Sequence, residues 1–278
     1  MEMIWVKRVL VMQRESFKHI QMENKMQYGL HNNSSTTQLA AREQLVRLFQ
    51  SRPFSDELLL TNFGLFSRAS ALAKIFFLHE AYLKIKNIPG DIYVFGVWLG
   101  QDIVVLESMR AMIEPYNASR KLVGFDTFEG YAGISDLDKT SETIKPEGYT
   151  TEKNYQQFLE DLLAYHRQEN TLGHAVTHKL ISGDVTRTAK EYVEENTSSM
   201  VAMAYFDLAL YEPTISALNS IGDRLMPGSV IVLDELNDPR YPGETLAFRE
   251  WARDKSYEIT RSNILPDRTF VTIKNFQN

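Results

Sequence analysis

Apolar and polar positions follow two different periods along this chain. Between residues 38 and 88, apolar side chains such as Leu72, Ile75 and Phe76 recur three and four residues apart, the spacing that places them on one face of a helix. After residue 88 the apolar residues form short continuous runs separated by segments with helical spacing. Continuous apolar runs are typical of strands that are buried on both faces. The pattern therefore predicts a helical layer followed by a buried sheet.

Seven of these runs are predicted to be strands. Five of them alternate with helical segments, which is the order expected of a mostly parallel, doubly wound α/β sheet: DIYVFGV, KLVGFD, HKLISGD, VAMAYFDLAL and SVIVLDEL. The last two runs, around YEITRSN and RTFVTIKN, are predicted to form an antiparallel edge of that sheet.

The same pattern predicts how the chain is organised. We expect residues 1–87 to form an N-terminal helical extension, with an arm over 1–37 and a helical layer over 38–87, and residues 88–278 to form the α/β domain. The polar cluster LHNNSSTTQ suits a linker or a helix start. Residues 130–155 are long, charged and irregular, and such a segment inside a compact domain is usually a lid or disordered. We predict a lid.

Composition narrows the class of partner. A chain of 278 residues with 44% hydrophobic and 24% charged residues is typical of a soluble globular protein. Its net charge of −6 is spread along the chain, so no basic face is expected for nucleic acid or an anionic membrane, and a small molecule is the better expectation. The absence of cysteine excludes disulfides and thiolate chemistry. Lys7 and Arg8 interrupt the apolar N-terminus, which is a poor signal peptide, so we expect a cytoplasmic protein.

Carboxylates follow four of the predicted strands. Asp126, Asp184, Asp207 and the pair of Asp234 with Glu235 each come directly after an apolar run. In an open α/β sheet the ligand lies outside the carboxyl ends of the strands, so these groups are expected around one crevice. The alternative is that each acidic residue caps the helix that follows it. Four such ends together favour a site.

The turn after the first strand carries the other half of this site. Gly96 and Gly100 flank three residues, a spacing that differs from the G-x-G-x-x-G of nicotinamide enzymes and from phosphate loops, so a pyrophosphate ligand is disfavoured. Glycine at both positions would let the backbone approach a small ligand closely. Asp126, about thirty residues further on, lies where an acidic group accepts hydrogen bonds from a ribose. The pattern therefore indicates adenosine without a phosphate chain.

Several of these segments together resemble a known family. The class I S-adenosylmethionine-dependent methyltransferases, and more narrowly the macrocin-type sugar O-methyltransferases, share the order and spacing of IPGDIYVFGVWLG, LVGFDTFEGYAG, SGDVTRTAKEY, FDLALYEPTISAL, LMPGSVIVLDEL and YPGETLAFREW. The resemblance covers residues 88 to 251. It implies a Rossmann-like fold, S-adenosylmethionine as cofactor, a sugar-containing acceptor in natural-product or glycan biosynthesis, and a homo-oligomer.

The resemblance also implies roles for individual residues. The turn glycines and Trp98 would wrap the methionine part of the cofactor, Asp126 would bind the ribose, and Asp184 would edge the adenine. The full set of implied cofactor-binding residues is Gly96, Val97, Trp98, Gly100, Asp126, Thr127, Phe128, Asp184, Val185 and Asp207. Asp207 would be the catalytic base or a ligand of a divalent cation such as Mg²⁺, with Asp234 and Glu235 as further ligands. Carboxylate oxygens are the ligands that Mg²⁺ prefers.

Substrate contacts are expected from two loops. Tyr131 and Tyr149, in the predicted lid, are either sugar-stacking groups or ordinary lid packing. The loop after the fifth strand contains Arg240, Tyr241 and Glu244, which have a similar pair of interpretations. Substrate contact is favoured because that loop opens over the crevice.

Four positions depart from the family pattern. Val94 stands where the family usually has an acidic residue, Leu99 where a basic one is common, and Glu235 where aspartate is usual. Ala209 replaces a second aspartate, and strand alternation would place it on the same face as Asp207. Two hypotheses follow: an S-adenosylmethionine-dependent O-methyltransferase, or a protein that keeps this fold without methyl transfer, as a binding subunit or an enzyme of different chemistry. A nicotinamide enzyme is disfavoured by the missing third glycine.

Overall fold

The structure, a computed structural model, describes residues 34–274. Most of the predicted arm, residues 1–33, therefore lies outside the described residues. Eight α-helices are described: α1 (Thr36–Gln50), α2 (Asp56–Thr61), α3 (Ala69–Ile85), α4 (Gln101–Ile113), α5 (Tyr155–Glu169), α6 (Val185–Glu195), α7 (Tyr211–Ile221) and α8 (Pro242–Trp251). The first begins inside the predicted polar cluster, where Ser35 caps it and accepts a hydrogen bond from the backbone N–H of Gln38.

Seven strands form one sheet. They are β1 (Asp91–Phe95), β2 (Leu122–Asp126), β3 (Lys179–Ser182), β4 (Val201–Phe206), β5 (Leu225–Leu233), β6 (Tyr257–Arg261) and β7 (Thr269–Ile273), in the order β3-β2-β1-β4-β5-β7-β6. Strands β1 to β5 are parallel, and β7 runs antiparallel to both β5 and β6. The predicted mostly parallel, doubly wound sheet with an antiparallel edge is confirmed.

Both faces of the sheet are covered by helices. Tyr93 and Phe95 of β1 pack into one core together with residues of α6, α7 and α8. Ile92 and Val94 point to the opposite face, where they join a second core with α3, α4 and α5. The alternation explains why β1 reads as one continuous apolar run, since every one of its side chains is buried.

Helix α3 is part of the second core. Its Phe77 ring lies 5.7 Å from the ring of Phe270 in β7 and 6.1 Å from that of Tyr205 in β4. Helices α1 and α2, by contrast, contain no buried residue. Packing is therefore continuous across the predicted boundary between residues 87 and 88, because α3 covers the sheet directly.

The fourth strand is shorter than its apolar run suggests. The run continues to Leu210, but β4 ends at Phe206, and Ala209 adopts a left-handed backbone conformation with a φ of 62°. Strand alternation therefore does not apply beyond Phe206, and the inference that Ala209 shares a face with Asp207 is wrong. Its side chain is buried.

The predicted lid, residues 130–155, lies between β2 and α5 and contains neither helix nor strand until Tyr155. Asp138 anchors it from inside, because its buried carboxylate accepts hydrogen bonds from Ser135 and from the backbone N–H of Tyr211 at the start of α7. The hydroxyl of Ser141 donates to the carbonyl of Arg240. These contacts fix the segment to the loops that follow β4 and β5.

Across residues 34–274 no helix has the length and apolar character needed to cross a membrane.

Candidate active site

A cavity of about 250 Å³ opens at the carboxyl ends of the central strands. The chain order reverses there, since β2 and β3 lie on one side of β1 while β4 and β5 lie on the other, and ligands of open α/β sheets bind at such a point. Most of the predicted cofactor residues line this cavity: Gly96, Val97, Trp98, Gly100, Asp126, Thr127, Asp184, Val185 and Asp207. The carboxylates that follow β2, β3 and β4 therefore surround one cavity, as the sequence pattern predicts.

The turn after β1 contains two positions at which the backbone favours glycine. Gly96 has a φ of 87°, and a Cβ atom there would lie 2.0 Å from the carbonyl oxygen of Asp207. Gly100 has a φ of 82° and caps the start of α4, where a Cβ atom would meet the side chain of Leu159. Close approach to a ligand was the expected reason for both glycines, but the structure shows that the chain itself already excludes a side chain at each position.

Asp126 holds the turn in place. Its Oδ2 accepts hydrogen bonds from the backbone N–H groups of Val97 and Trp98, at 2.6 and 2.7 Å, and its Oδ1 accepts one from Phe128 at 2.6 Å. Burial raises the pKa of this carboxyl group, although the three backbone donors act in the opposite direction. Asp126 thus has a structural role that the sequence did not indicate, in addition to lining the cavity.

Phe128 is the one predicted cofactor residue that is not among the residues lining the cavity, and its cofactor role stays a prediction. Thr127 lines the cavity, but the side chain of Phe128 is buried with the second core and is not among the lining residues. Its backbone φ of 57° explains the difference, because the chain turns sharply after β2 to donate the Phe128 N–H to Asp126.

Asp184 both caps a helix and lines the cavity, the two roles considered for the strand-end carboxylates. It is the N-cap of α6, where its Oδ1 accepts hydrogen bonds from the backbone N–H and the hydroxyl of Thr186, and it also lines the cavity. Capping fixes one carboxylate oxygen, so its direction is set before any ligand binds.

The predicted acidic triad is assembled. One carboxylate oxygen from each of Asp207, Asp234 and Glu235 lies within 4.8 Å of the other two. Only Asp207 of the three lines the cavity, and its side chain is partly exposed. Burial, together with repulsion from Asp234 and then Glu244, raises the pKa of Glu235. Glu244, for which substrate contact was favoured from the sequence, lies in α8, where it is buried and accepts a hydrogen bond from the backbone N–H of Glu235 at 2.9 Å with its Oε1.

Two cations that the sequence pattern did not single out reach this triad. Arg268, at the start of β7, forms an ion pair with the carboxylate of Asp234 and donates to its carbonyl oxygen at 2.8 Å. Lys74, on α3, places its Nζ 2.9 Å from Oδ2 of Asp102 and 3.8 Å from Oδ2 of Asp207. The one available signal was a lysine inside the apolar stretch of α3, where a charged side chain requires a partner.

The electrostatics of Lys74 follow from this position. Burial by itself would lower its pKa, but attraction to Asp102 and then to Asp207 outweighs burial and raises the pKa well above its ordinary value. Asp102, at the start of α4, is buried, and burial raises its pKa. Among the described residues that line the cavity, Lys74 is the only basic one.

The three carboxylates are close enough to share a divalent cation, and two of them already face protein cations. Asp234 accepts a hydrogen bond from the Tyr205 hydroxyl at 2.6 Å on the same oxygen that meets Arg268. Asp207 faces Lys74. Mg²⁺ needs several free oxygen ligands in near-octahedral geometry. Protein cations therefore compete with a metal for Asp207 and Asp234, whereas the buried Oε2 of Glu235 has no hydrogen-bond partner among the described residues.

The predicted substrate residues divide into two groups. Tyr131 and Tyr149 line the cavity with ring centroids 5.4 Å apart, and the ring of Tyr149 also lies 5.4 Å from that of Trp98. Burial raises the pKa of both tyrosines, which keeps their hydroxyl groups protonated.

The two predicted residues of the loop after β5 do not line the cavity. Tyr241 interacts with Tyr149 through their hydroxyl groups. Arg240 pairs with Asp238 and is half exposed, so the structure does not bring its guanidinium to the cavity.

This strand order, with a glycine turn and strand-end carboxylates around one cavity, defines a class I S-adenosylmethionine-dependent methyltransferase fold. The model of the macrocin-O-methyltransferase (TylF) family matches residues 73–256. The chain therefore belongs to the macrocin O-methyltransferase family. No protein with curated annotation matches it significantly.

Solved structures agree with this membership. The calicheamicin methyltransferase CalS11 is 31% identical, with a TM-score of 0.80, over 87% of this chain and 94% of that one. A structure of CalS11 without ligand, described as a TDP-rhamnose 3'-O-methyltransferase of calicheamicin biosynthesis, is 30% identical with a TM-score of 0.73, over 87% and 96% of the two chains. The O-methyltransferase NovP shares the fold, at 16% identity and a TM-score of 0.56 over 73% of this chain and 80% of that one.

The protein is thus an S-adenosylmethionine-dependent O-methyltransferase, as the resemblance of its motifs implied. Of the two hypotheses drawn from the sequence, family membership supports the enzyme.

Proposed function

We propose that this protein transfers a methyl group from S-adenosylmethionine to a hydroxyl group of a sugar, carried on a nucleotide or on a glycosylated small molecule, in natural-product biosynthesis. One observation carries the proposal: a single cavity joins the glycine turn to Asp207 and to a pair of tyrosine rings. Aromatic faces suit the apolar faces of sugar rings, and the similar protein CalS11 is described as acting on TDP-rhamnose.

Each part of the cavity has a proposed role. When bound, S-adenosylmethionine supplies an electrophilic methyl group. Gly96, Val97, Trp98 and Gly100 hold its methionine part, Asp126 and Thr127 its ribose, and Asp184 with Val185 its adenine. Tyr131 and Tyr149 orient the sugar. Because the methyl donor is already reactive, the protein mainly has to align the attacking oxygen and help it lose its proton.

Asp207 is the proposed base. It is the one member of the acidic triad that lines the cavity, and its carboxylate is partly exposed there, so an acceptor hydroxyl can reach it. Assistance by Mg²⁺ at Asp207, Asp234 and Glu235 is the other form of this mechanism. The pairing of these carboxylates with Lys74 and Arg268 favours the form without metal.

The first test is calorimetry with S-adenosylhomocysteine, followed by incubation with S-adenosylmethionine and nucleotide-linked deoxysugars, TDP-rhamnose among them, with products identified by mass spectrometry. We expect micromolar binding and one added methyl group per acceptor. Asp207→Asn should retain binding and lower kcat by about 10² to 10⁴-fold, the range for loss of a general base. Asp223→Asn, an exposed aspartate away from the cavity, is the matched control. Unchanged turnover in Asp207→Asn would remove the role given to Asp207, and absence of any binding would remove the function.

The oligomeric state and the cellular location of the protein also remain proposals. The family resemblance supports a homo-oligomer, which sedimentation analysis of the full chain tests. A cytoplasmic location is the second expectation, and fractionation of the source cells tests it.

A further inference from the structure

Lys74 is placed unlike any other basic residue of the described chain. Its side chain is three-quarters buried and lines the cavity beside Asp207, while Asp102 fixes its Nζ at 2.9 Å. Asp102 is itself buried, and its other oxygen has no hydrogen-bond partner among the described residues. The ion pair with Asp102 therefore holds the ammonium group of Lys74 beside the cavity.

The remaining charges of the triad are arranged around this group. Arg268 and the Tyr205 hydroxyl engage Asp234 from the side of β7 and β4. Asp207 is left facing both the cavity and Lys74, with 3.8 Å between its Oδ2 and the lysine Nζ. Two protein cations therefore face two of the three carboxylates that could bind a divalent cation.

We propose that Lys74 is the positioning cation of the methyl-transfer site and that it replaces the divalent metal, so that this enzyme transfers methyl groups without one. This inference rests on the proposed function. Lys74 directs the Asp207 carboxylate toward the acceptor and places a positive charge where negative charge develops on the attacking oxygen. A charge that is already fixed in place stabilises a transition state without reorganising during the reaction.

The atoms balance without a further reactant. The acceptor hydroxyl gives its proton to the Asp207 carboxylate as its oxygen forms a bond to the methyl carbon. The bond between that carbon and sulfur breaks, its electron pair stays on sulfur, and S-adenosylhomocysteine leaves. The proton then passes from Asp207 to solvent, since the cavity is open to it.

The kinetic test compares Lys74→Met, which removes the charge and keeps most of the length, with Lys74→Arg, which restores a charge. Lys86→Met is the control, because it makes the same change at the exposed end of the same helix. We expect Lys74→Met to lower kcat by about 100-fold, the order of effect of removing one fixed electrostatic group. The affinity for S-adenosylhomocysteine should change less than about threefold, which is the size of effect expected from losing a partly exposed charge pair. Lys74→Arg should recover part of kcat, and Lys86→Met should match the wild type.

The second test measures metal binding directly and does not depend on catalysis. The wild-type protein is titrated with Mn²⁺ and the free ion is followed by electron paramagnetic resonance. We expect no binding below millimolar concentrations in the wild type, Mn²⁺ binding in Lys74→Met because its carboxylates lose their cation, and loss of that binding in Lys74→Met combined with Asp207→Asn. Wild-type activity should persist in EDTA.

Three results would overturn the proposal: activity that EDTA abolishes and Mg²⁺ restores, micromolar Mn²⁺ binding by the wild type, or failure of Lys74→Met to bind Mn²⁺. A drop in stability and in S-adenosylhomocysteine affinity at unchanged kcat would show that Lys74 only clamps α3 to α4. If no acceptor is methylated, the proposed function fails, and the Mn²⁺ titration still decides the role of Lys74.

Discussion

At the scale of single residues, Gly96 joins the two strands that meet at the site. Gly96→Ala would place a methyl group 2.0 Å from the carbonyl oxygen of Asp207, at a φ of 87° that alanine rarely adopts. We expect a loss of at least about 2 kcal/mol in the free energy of unfolding, from strain and from displacement of the β4 end. S-adenosylhomocysteine affinity should fall as well. Urea unfolding and calorimetry measure the two effects.

Gly64→Ala is the control for that substitution. Nothing lies within 4 Å of the position of its added Cβ atom, and it makes the same chemical change on the N-terminal helical layer. Its free energy of unfolding should stay within about 0.5 kcal/mol of the wild type. Equal effects of the two alanines would show that the contact between Gly96 and Asp207 does not constrain the fold.

At the scale of elements, one buried carboxylate ties α4 to the end of α5 and to the start of β3. Glu107 accepts two hydrogen bonds from Arg110, one from Asn170 at 2.9 Å and one from His178 at 2.7 Å. The histidine Nδ1 accepts from the backbone N–H of Leu122, so the proton lies on Nε2. The strand predicted over HKLISGD begins only at Lys179, and His178 serves this network.

This network makes the free energy of unfolding depend on pH in the acidic range. Burial by itself would raise the pKa of Glu107, but hydrogen bonds from Arg110 and His178 lower it to about 2. A carboxyl group whose folded pKa is depressed stabilises the fold above its unfolded pKa, near 4.5, and that contribution is lost as the pH falls toward 2. Acid should therefore weaken the attachment of α4.

Glu107→Gln tests this expectation. It should lower the free energy of unfolding at pH 7 by about 3 kcal/mol, because the guanidinium of Arg110 is left buried without its charge partner. The stability curve between pH 4.5 and 2 should also become flatter than that of the wild type. Glu191→Gln, which removes an exposed i,i+4 pair with Arg187, should cost no more than about 0.5 kcal/mol and keep the wild-type slope. Chemical denaturation at a series of pH values measures both variants, and parallel curves for Glu107→Gln and the wild type would contradict the assignment.

At the scale of the whole molecule, the segment over residues 130–155 connects parts of the site that are far apart in the chain. Asp138 binds it to the start of α7, and Ser141 binds it to the loop after β5. Tyr131 and Tyr149 then lie over the cavity as a consequence. The lid predicted for this segment remains a prediction, and its anchor gives a way to test it.

Asp138→Ala should release the segment, because it removes three hydrogen bonds inside the protein. We expect faster tryptic cleavage at Lys139 and Lys145 and a KM for the acceptor raised about tenfold, since ordering the loop would then cost binding energy. Asp136→Ala is the control from the same loop: this aspartate is exposed and pairs only with exposed Lys139. Equal cleavage rates in the two variants would show that Asp138 does not hold the segment closed.

Much of this architecture follows from the sequence alone. The change from helical spacing to continuous apolar runs determines the sheet and its covering helices, because each run must bury both of its faces. The carboxylates after β2, β3 and β4 were predictable as one group, since the ends of parallel strands meet at one edge. The G-x-x-x-G turn was predictable as part of the same cavity, because it follows a parallel strand at that edge.

Other features were decided only by the tertiary structure. The left-handed conformation of Ala209 ends the alternation of β4, and that of Phe128 turns its side chain into the core. The apolar pattern does not encode such backbone conformations. Lys74 and Arg268 meet the acidic triad from elements far away in the chain, and no local period encodes such a contact. The sequence alone thus determined which strand ends share one cavity. Only the folded chain decided which charges surround that cavity, because electrostatic pairing depends on distances across the whole structure.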